Sequence, residues 1–517
     1  MEEKKSKKEK KEKKEKKGKK DKKEKTEENE NNENEEKKEI KLIGKKRNLP
    51  KEEIDSQEEN LIKKDEINPI LQKKLQEMEQ RNKKFIEKCE SHPIEFIPPE
   101  THEVHPDTKA LKFEIIATFN RARAGILTLP HGKVLTPVYM PVGTKAAMKG
   151  LLSADLERMG CKLMLSNTYH LGFEPGGDFL KKNYGGEDNR SVHHYMHWKN
   201  NLLTDSGGFQ IASLEKLSER SEQGVDFISH ITGDDTHLML TPEKSMEIQN
   251  DLGSDIIMAL DDVISPFSKG GAIYDSCERS LRWLDRCIKA HKRKDEQNLY
   301  GIVQGGINIE LRKKACIEWT KRNCPGYAIG GMSGGESKKE FCDTIDICGE
   351  MLPKNKPRYL MGIGYPVDLV ICALFGVDQF DCVFATRTAR FGTAITDYGF
   401  LKLKSEKNKY DFGPIDKTCK CEVCVKYSRS YLYFLLNNNP RAVELISFHN
   451  VHYLLNLMKK LREAIINSKV NEFVEDFIKK QYDETKEVPD WVVNALTKAG
   501  CDTSFIWKGK GDKSYVE

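Results

Sequence analysis

No apolar run in the 517 residues approaches the roughly 18 that a membrane-spanning helix needs, and the N-terminus lacks the apolar core of a secretory signal. The expectation is a soluble, cytoplasmic protein. Charge of one sign is also missing overall, since the net value is only +5. That figure hides a local excess, because the first twenty residues carry twelve Lys against five acids. Aromatic and branched apolar side chains are almost absent from Met1 to about Asn60, so this Lys/Glu/Asn-rich stretch cannot bury enough surface to offset chain entropy. It reads as a disordered, solvated tail; the interleaved Glu weakens the alternatives of a nuclear signal or an RNA-attracting arm. Cysteine is not scarce. Fourteen are present, many scattered singly through apolar stretches, as at Cys161, Cys372 and Cys382. With no signal peptide, that usage points to a reducing compartment and against disulfides.

Residues 61–111 predict one amphipathic helix and a linker, since Ile70, Leu71, Leu75 and Met78 recur at helical spacing. Beyond residue 112 short apolar runs recur, each closed by polar or Gly residues and followed by a helix-compatible stretch. Eight can be counted: 137–142, 162–166, 202–204, 255–260, 299–303, 327–329, 359–361 and 380–384. Helical partners lie between them, such as SADLERMGC and TPEKSMEIQNDLG, the latter with Thr241 as N-cap and Pro242 at the first helical position. Alternation of this kind implies a parallel sheet, and eight units favour a (β/α)8 TIM barrel over an open doubly wound sheet. The barrel is assigned to 112–404, with a zinc-binding and C-terminal helical subdomain at 405–517. The long break from Phe209 to His237 reads as a β-hairpin insertion around Thr232-Gly233-Asp234-Asp235.

Polar residues cluster at the C-terminal ends of these runs, where a barrel places its chemistry: SNTYH (166–170), DSGGFQ (205–210), Asp261-Asp262, QGG (304–306), GGMSGG (330–335) and GIGYP (362–366). The eighth run carries Asp381 inside it, pointing inward if Phe380 and Cys382 point out. Asp205 precedes Ser206, Gly207, Gly208 and Phe209: two glycines that allow close backbone approach, then a ring able to stack on a planar base. Near Asp381 stand Thr386, Arg387, Thr388 and Arg390, a setting suited to a reacting centre beside a phosphate backbone. Two such acids point to covalent glycosyl transfer. Further on, Cys419, Cys421 and Cys424 form C-x-C-x2-C, with His449 25 residues later. Three thiolates and an imidazole suit one structural Zn2+ with no open position; His452 competes for the fourth place.

Taken in order, RARAGILTLPHG, TPVYMPVGT, SNTYHL, LLTDSGGFQ, SDIIMALDD, GIVQGG, YAIGGMSGGE, RYLMGIGYP, FDCVFATRTARFGTA and the cysteine motif resemble the tRNA-guanine transglycosylases, or queuine tRNA-ribosyltransferases, over residues of about 120 to 500. The resemblance implies that Asp381 is the nucleophile at the ribose of the wobble guanosine and Asp205 the general acid/base, with no ATP or redox cofactor. It implies that Asp261, Gln304 and the N–H of Gly331 read the purine edge while Phe209 and Met361 sandwich the ring. RNA contacts are expected from Gly362, Ile363, Gly364, Tyr365, Pro366, Val367 and Asp368, and from Thr386, Arg387, Thr388, Ala389 and Arg390. Val263 and Gly334 match eukaryotic members and leave room for queuine rather than the smaller prequeuine base. Partners implied are the tRNA anticodon loop, queuine, and a homologous accessory subunit in a heterodimer, or a second copy in a homodimer. The alternatives are a non-catalytic accessory subunit, which the presence of both acids opposes, and a barrel N-glycosidase on nucleosides, which leaves the Arg pair and the cysteine motif without a purpose.

Overall fold

The computed structural model describes residues 95–208, 218–228, 237–265, 267–268, 270–482 and 487–506. The tail, the helix expected near Ile70 to Met78, Phe209 and the Thr232 to Asp235 turn lie outside the described residues. The first elements are an antiparallel sheet that the run count above does not include: β1 (Lys112–Phe119), β2 (Ala122–Leu129) and β3 (Gly132–Thr136). Strands β4 (Val138–Met140), β5 (Leu163–Ser166) and β6 (Asn201–Thr204) follow. The insertion forms a three-stranded antiparallel sheet, β7 (Ser218–Arg220), β8 (Val225–Ile228) and β9 (His237–Leu240), one strand more than a hairpin. The chain then returns to β10 (Ile256–Met258), β11 (Asn298–Val303), β12 (Gly326–Ile329), β13 (Arg358–Leu360) and β14 (Gln379–Asp381).

β4, β5, β6 and β10 to β14 are the eight parallel strands, in the order β4-β14-β13-β12-β11-β10-β6-β5. The ring closes just past β4, where Val142 bridges Leu165, Leu165 N–H donates to Pro141 O at 2.9 Å and Gly143 N–H to Leu165 O at 2.7 Å. The TIM barrel read from the sequence is therefore the fold. Every expected run coincides with a strand, but the eighth is shorter than expected. β14 ends at Asp381, and Phe384 opens the helix Phe384–Arg390. Val383 already has helical backbone angles, φ −77° and ψ 0°.

Side chains alternate across the wall as a period of two requires. Met140, Leu165, Leu203, Met258, Ile302 and Tyr359 fill the barrel interior. Tyr139, Met164, Leu202, Ile257, Val303 and Phe380 pack outward against the helices. The helix Pro242–Leu252 begins as expected, with Thr241 Oγ1 accepting from Lys244 N–H at 3.1 Å and Pro242 in the first turn.

The sheet β1-β2-β3 plugs the N-terminal mouth, for Leu127, Leu129 and Val134 belong to the interior cluster. Buried charges seat it. Arg123 on β2 forms a two-pronged pair with Asp378, whose Oδ2 also accepts from Arg358 N–H at 2.7 Å. At the β2–β3 turn, His131 Nδ1 lies 2.7 Å from Asp255 Oδ1, and Asp255 Oδ2 accepts from Leu202 N–H at 2.8 Å. Burial alone would lift the Asp255 carboxyl, but His131 and His193 outweigh it and hold it well below the usual carboxylate range. Asp255 thus ties the turn to the start of β6. Replacing it with Ala leaves partners buried and unpaired, so Asp255→Ala is expected to cost about 3–5 kcal/mol in denaturant unfolding. Because the folded-state value is depressed, the wild-type contribution is complete above a pH of about 4 and declines as pH falls further. The stability difference between wild type and variant should shrink in acid; an unchanged difference at low pH would refute the charged pairing.

Candidate functional site

The alternation of β6, β11 and β13, carried two residues past the interior Leu203, Ile302 and Tyr359, turns Asp205, Gln304 and Met361 toward the barrel axis at its C-terminal mouth, where Asp381 at the end of β14 also faces in. Asp381 pairs in register with the interior Met140. Its carboxylate accepts the Tyr359 hydroxyl at 2.5 Å and Gly362 N–H at 2.9 Å, both on Oδ1. Burial, the larger effect, pushes the Asp381 carboxyl above the ordinary range, Tyr359 and Gly362 pull it back, and the Asp205 charge adds to the rise. The two acids therefore feel one another across the mouth. Asp381 is half-buried in the barrel wall. Asp205 is held differently: its oxygens accept Asn167 Nδ2–H at 2.5 Å and Thr168 N–H at 2.7 Å.

At the same strand ends stands a polar cluster. Asp261 is buried and accepts Gln304 Nε2–H at 2.6 Å and the Ser206 hydroxyl at 3.2 Å. Burial pushes its carboxyl up to about 7 against these two hydrogen bonds, with Asp262 adding to the rise. Asp262 faces away, paired with Arg279 and, at 3.4 Å, with Arg220 of β7, so the acid pair both lines the pocket and anchors the insertion. Ser206 Oγ also accepts Gly208 N–H at 3.2 Å. Gly208 must be small, since a Cβ there would lie 3.1 Å from Asp261 O and 3.4 Å from Asp261 Oδ1. Gly331, at φ +68°, has its backbone against Gln304, and a Cβ would come within 2.5 Å of Gln304 Oε1. Gly207 also has positive φ, and Val263 and Met361 are half-buried nearby in sequence to these groups.

The rim carries the cations and the glycine-rich loop. Arg387 and Arg390 project into solvent from the helix Phe384–Arg390, whereas Thr386 and Ala389 are buried. The Thr388 hydroxyl donates to Phe384 O at 2.8 Å, back onto its own helix. Gly362 and Tyr365 are exposed, while Ile363, Gly364 and Pro366 are buried and Val367 is half-buried. Asp368 is buried and pairs with Lys338 at 2.7 Å. Gly334 is exposed, its N–H bonded to Glu336 at 2.9 Å.

Beside the barrel, the thiols of Cys419, Cys421 and Cys424 surround His449 Nδ1 at 3.8, 3.5 and 3.3 Å. A tetrahedral ion with metal–sulfur bonds of about 2.3 Å and metal–nitrogen bonds of about 2.0 Å has S···N edges of about 3.5 Å, so the donor set can hold a metal. His449 Nε2–H donates to Ile395 O at 2.8 Å, which fixes the tautomer and leaves Nδ1 for the ion. His452 is near only Cys419, at 3.7 Å, and stands outside the group of four. His449 lies on the long helix Arg441–Ile466. Its neighbour Asn450 donates to Ala385 O at 2.9 Å and accepts from Ile395 N–H at 2.8 Å, so the cluster braces the helix that follows Asp381. A second group, His131, His193 and Asp255, also brings three ligand atoms together. Its two imidazoles stack at 3.8 Å and 18°, so their in-plane lone pairs run side by side and do not converge on one ion.

Asn167, Thr168 and Tyr359 shape the carboxylates without having been assigned roles by the sequence reading. Asn167 and Thr168 stand in SNTYH, which marked a strand end, and Tyr359 is an ordinary apolar position in RYLMG until the ring of strands turns it inward.

The family model "Queuine tRNA-ribosyltransferase" matches residues 118–483. A relative from Schizosaccharomyces pombe named queuine tRNA-ribosyltransferase catalytic subunit is 45% identical over 403 residues, 76% of this chain and 98% of the relative. A Caenorhabditis elegans protein of the same name is 44% identical over 409 residues, covering 76% and 100%. The Lysinibacillus sphaericus queuine tRNA-ribosyltransferase is 44% identical over 374 residues, covering 72% and 96%. With its barrel, its acids and its cysteine cluster arranged as described, the chain belongs to the queuine tRNA-ribosyltransferase family.

Proposed function

We propose that this chain exchanges the wobble guanine of tRNAs with GUN anticodons for queuine, as a cytoplasmic transglycosylase. The observation that carries the reading is the meeting of Asp205 and Asp381, differently hydrogen-bonded, at one mouth beside the Asp261–Gln304 pocket. An Asp381 oxygen attacks C1′ of the ribose as the C1′–N9 bond breaks, and its charge stabilises the oxocarbenium-like sugar. Guanine leaves with a proton from Asp205, and an ester joins RNA to enzyme. The incoming base gives its N9 proton to Asp205 and attacks C1′, the ester breaks, and the configuration is retained after two inversions.

Asp261 accepts from the purine N–H edge, and Gln304 with Gly331 N–H holds the base carbonyl. Ser206, Gly207 and Gly208 allow close approach, and Phe209 and Met361 cover the ring faces, as for an extruded base. Gly362 to Asp368 and Thr386 to Arg390 contact RNA, with Arg387 and Arg390 supplying charge and the buried members shaping the two segments. Absence of a side chain at Gly334 leaves space for queuine's cyclopentenediol. Zn2+ is the ion suited to Cys419, Cys421, Cys424 and His449; held by four protein ligands, it supplies structural bracing. Among the described residues no helix is long and apolar enough to cross a membrane.

The name "catalytic subunit" on the S. pombe and C. elegans relatives supports a homologous accessory subunit as partner, with a homodimer as the second form. An exposed apolar face at Phe412, Val425 and Tyr431 gives such a partner a surface to cover.

Labelled guanine exchange on tRNA should fall about 10,000-fold in Asp381→Ala, with loss of the denaturant-stable RNA adduct. Unchanged exchange rules out the nucleophile. Run with queuine or prequeuine base, and with or without a homologous subunit, the same assay reads base preference and partner dependence. Because Asp261 accepts a proton-bearing edge only as a carboxylate, base affinity should fall as pH drops below about 7. Asp261→Asn should flatten that limb, and an identical pH profile in the variant contradicts the assignment. Chelation should release one zinc per chain and lower the melting temperature by several degrees. Cys421→Ser should behave like the stripped wild type, and a full metal content in that variant sinks the ligand set.

A further inference from the structure

Among the described residues, Arg312 is a cation that no carboxylate answers. It lies on the helix Ile309–Lys321 after β11 and is fully buried. Its guanidinium donates to Val303 O at 2.7 Å, to Gly306 O at 2.7 Å, and with both terminal nitrogens to Gly330 O at 3.1 Å; Met332 Sδ lies at 3.7 Å. Among the described residues all its acceptors are thus carbonyl oxygens and one thioether. A buried charge without a counter-ion is expensive, and an apolar side chain would fill the same space at lower cost. The cation therefore has a use other than packing.

Its acceptors identify that use. Val303 O, Gly306 O and Gly330 O frame the two strand-end loops that carry Gln304 and Gly331. Gly330 O and Gly331 N–H belong to one peptide group and point in opposite directions. A cation on the oxygen withdraws electron density and makes the N–H a stronger donor, while the fork geometry of guanidinium fixes the plane of that peptide. Gly331 N–H has no acceptor among the described residues, and a Cβ at Gly331 would lie 3.8 Å from Arg312 Nη2. Arg312 and the ligand face are thus separated by one peptide.

We propose that Arg312 is a positioning residue for the base pocket, which orients and polarises the Gly330–Gly331 peptide and so sets how strongly the pocket binds the carbonyl oxygen of its base. The proposal rests on the reading of Gly331 N–H as the donor to that oxygen. It acts through the peptide, and Arg312 itself does not touch the base.

Calorimetric titration of the full chain with guanine and with 6-thioguanine tests it, because the second ligand keeps the N1–H edge and replaces the carbonyl oxygen by a weakly accepting sulfur. Wild type should favour guanine. In Arg312→Gln, guanine affinity should drop about tenfold and 6-thioguanine affinity by less than about twofold, so the preference narrows. Arg312→Lys keeps the charge with a poorer fit and should narrow it less; it also serves as the test if Arg312→Gln fails to fold in a thermal melt. Equal weakening of both ligands would show general loosening of the pocket and overturn the proposal, as would an unchanged preference in folded Arg312→Gln. No preference in wild type instead removes the Gly331 reading, and the proposal with it.

Discussion

Closure of the sheet between Val142 and Leu165 is the constraint on which the site depends. A parallel strand can meet its neighbour only with both C-terminal ends on the same side, so closing the ring gathers eight strand ends into one mouth. Asp205, Asp261, Gln304, Gly331 and Asp381 are spread over 177 positions of sequence. Nothing local brings them together. Alternation then decides which side chains enter: Phe380 packs outward against the helices, and Asp381, one residue later, turns in.

Carboxylates crowded in this way would tend to neutralise one another, and the structure manages each separately. Asp381 has a phenol and one backbone N–H, both on the same oxygen, so the other oxygen has no protein donor among the described residues. Asp205 is gripped through both oxygens by the segment after β5. Asp261 is stabilised by an amide and a hydroxyl that themselves line the pocket. Asp262 turns away to two arginines. One chemical group is thus placed in four different hydrogen-bonding environments, which is how a fold divides roles among like acids.

The barrel was legible because eight apolar runs alternate with helical stretches, and that pattern survives imprecise boundaries. What failed were local readings that packing overrides. VF in the eighth run looks like strand, but the wall has ended at Asp381 and the chain must turn; Val383 takes helical angles and the helix starts at Phe384. RARAGILTLPHG, to which the sequence assigned no element, pairs antiparallel as β2 with β1 and β3, where Arg123 and His131 meet buried acids. The cysteine cluster was legible by spacing, and the choice between His449 and His452 needed the helix: only His449 reaches all three thiolates. Tyr359, Asn167 and Arg312 were not legible as site residues, since a tyrosine in a strand, an asparagine at a strand end and an arginine in a helix each have a commoner structural explanation.

The two ends of the barrel divide stability from chemistry. At the N-terminal end, Asp255 and Asp378 meet histidine and arginine in buried networks, and the plug of β1, β2 and β3 packs against the interior. At the C-terminal end, acids and backbone donors are left with capacity to spare, which costs stability locally and is tolerable because the other end is closed. The cysteine–histidine cluster belongs with the first kind of device although it stands near the second. Through His449 and Asn450 it fixes Ile395 and Ala385, and through them the helix that begins three residues after Asp381. Arg312 acts the same way from beneath the pocket. In both cases a buried polar group bonded to several backbone partners holds in place a segment beside an open mouth.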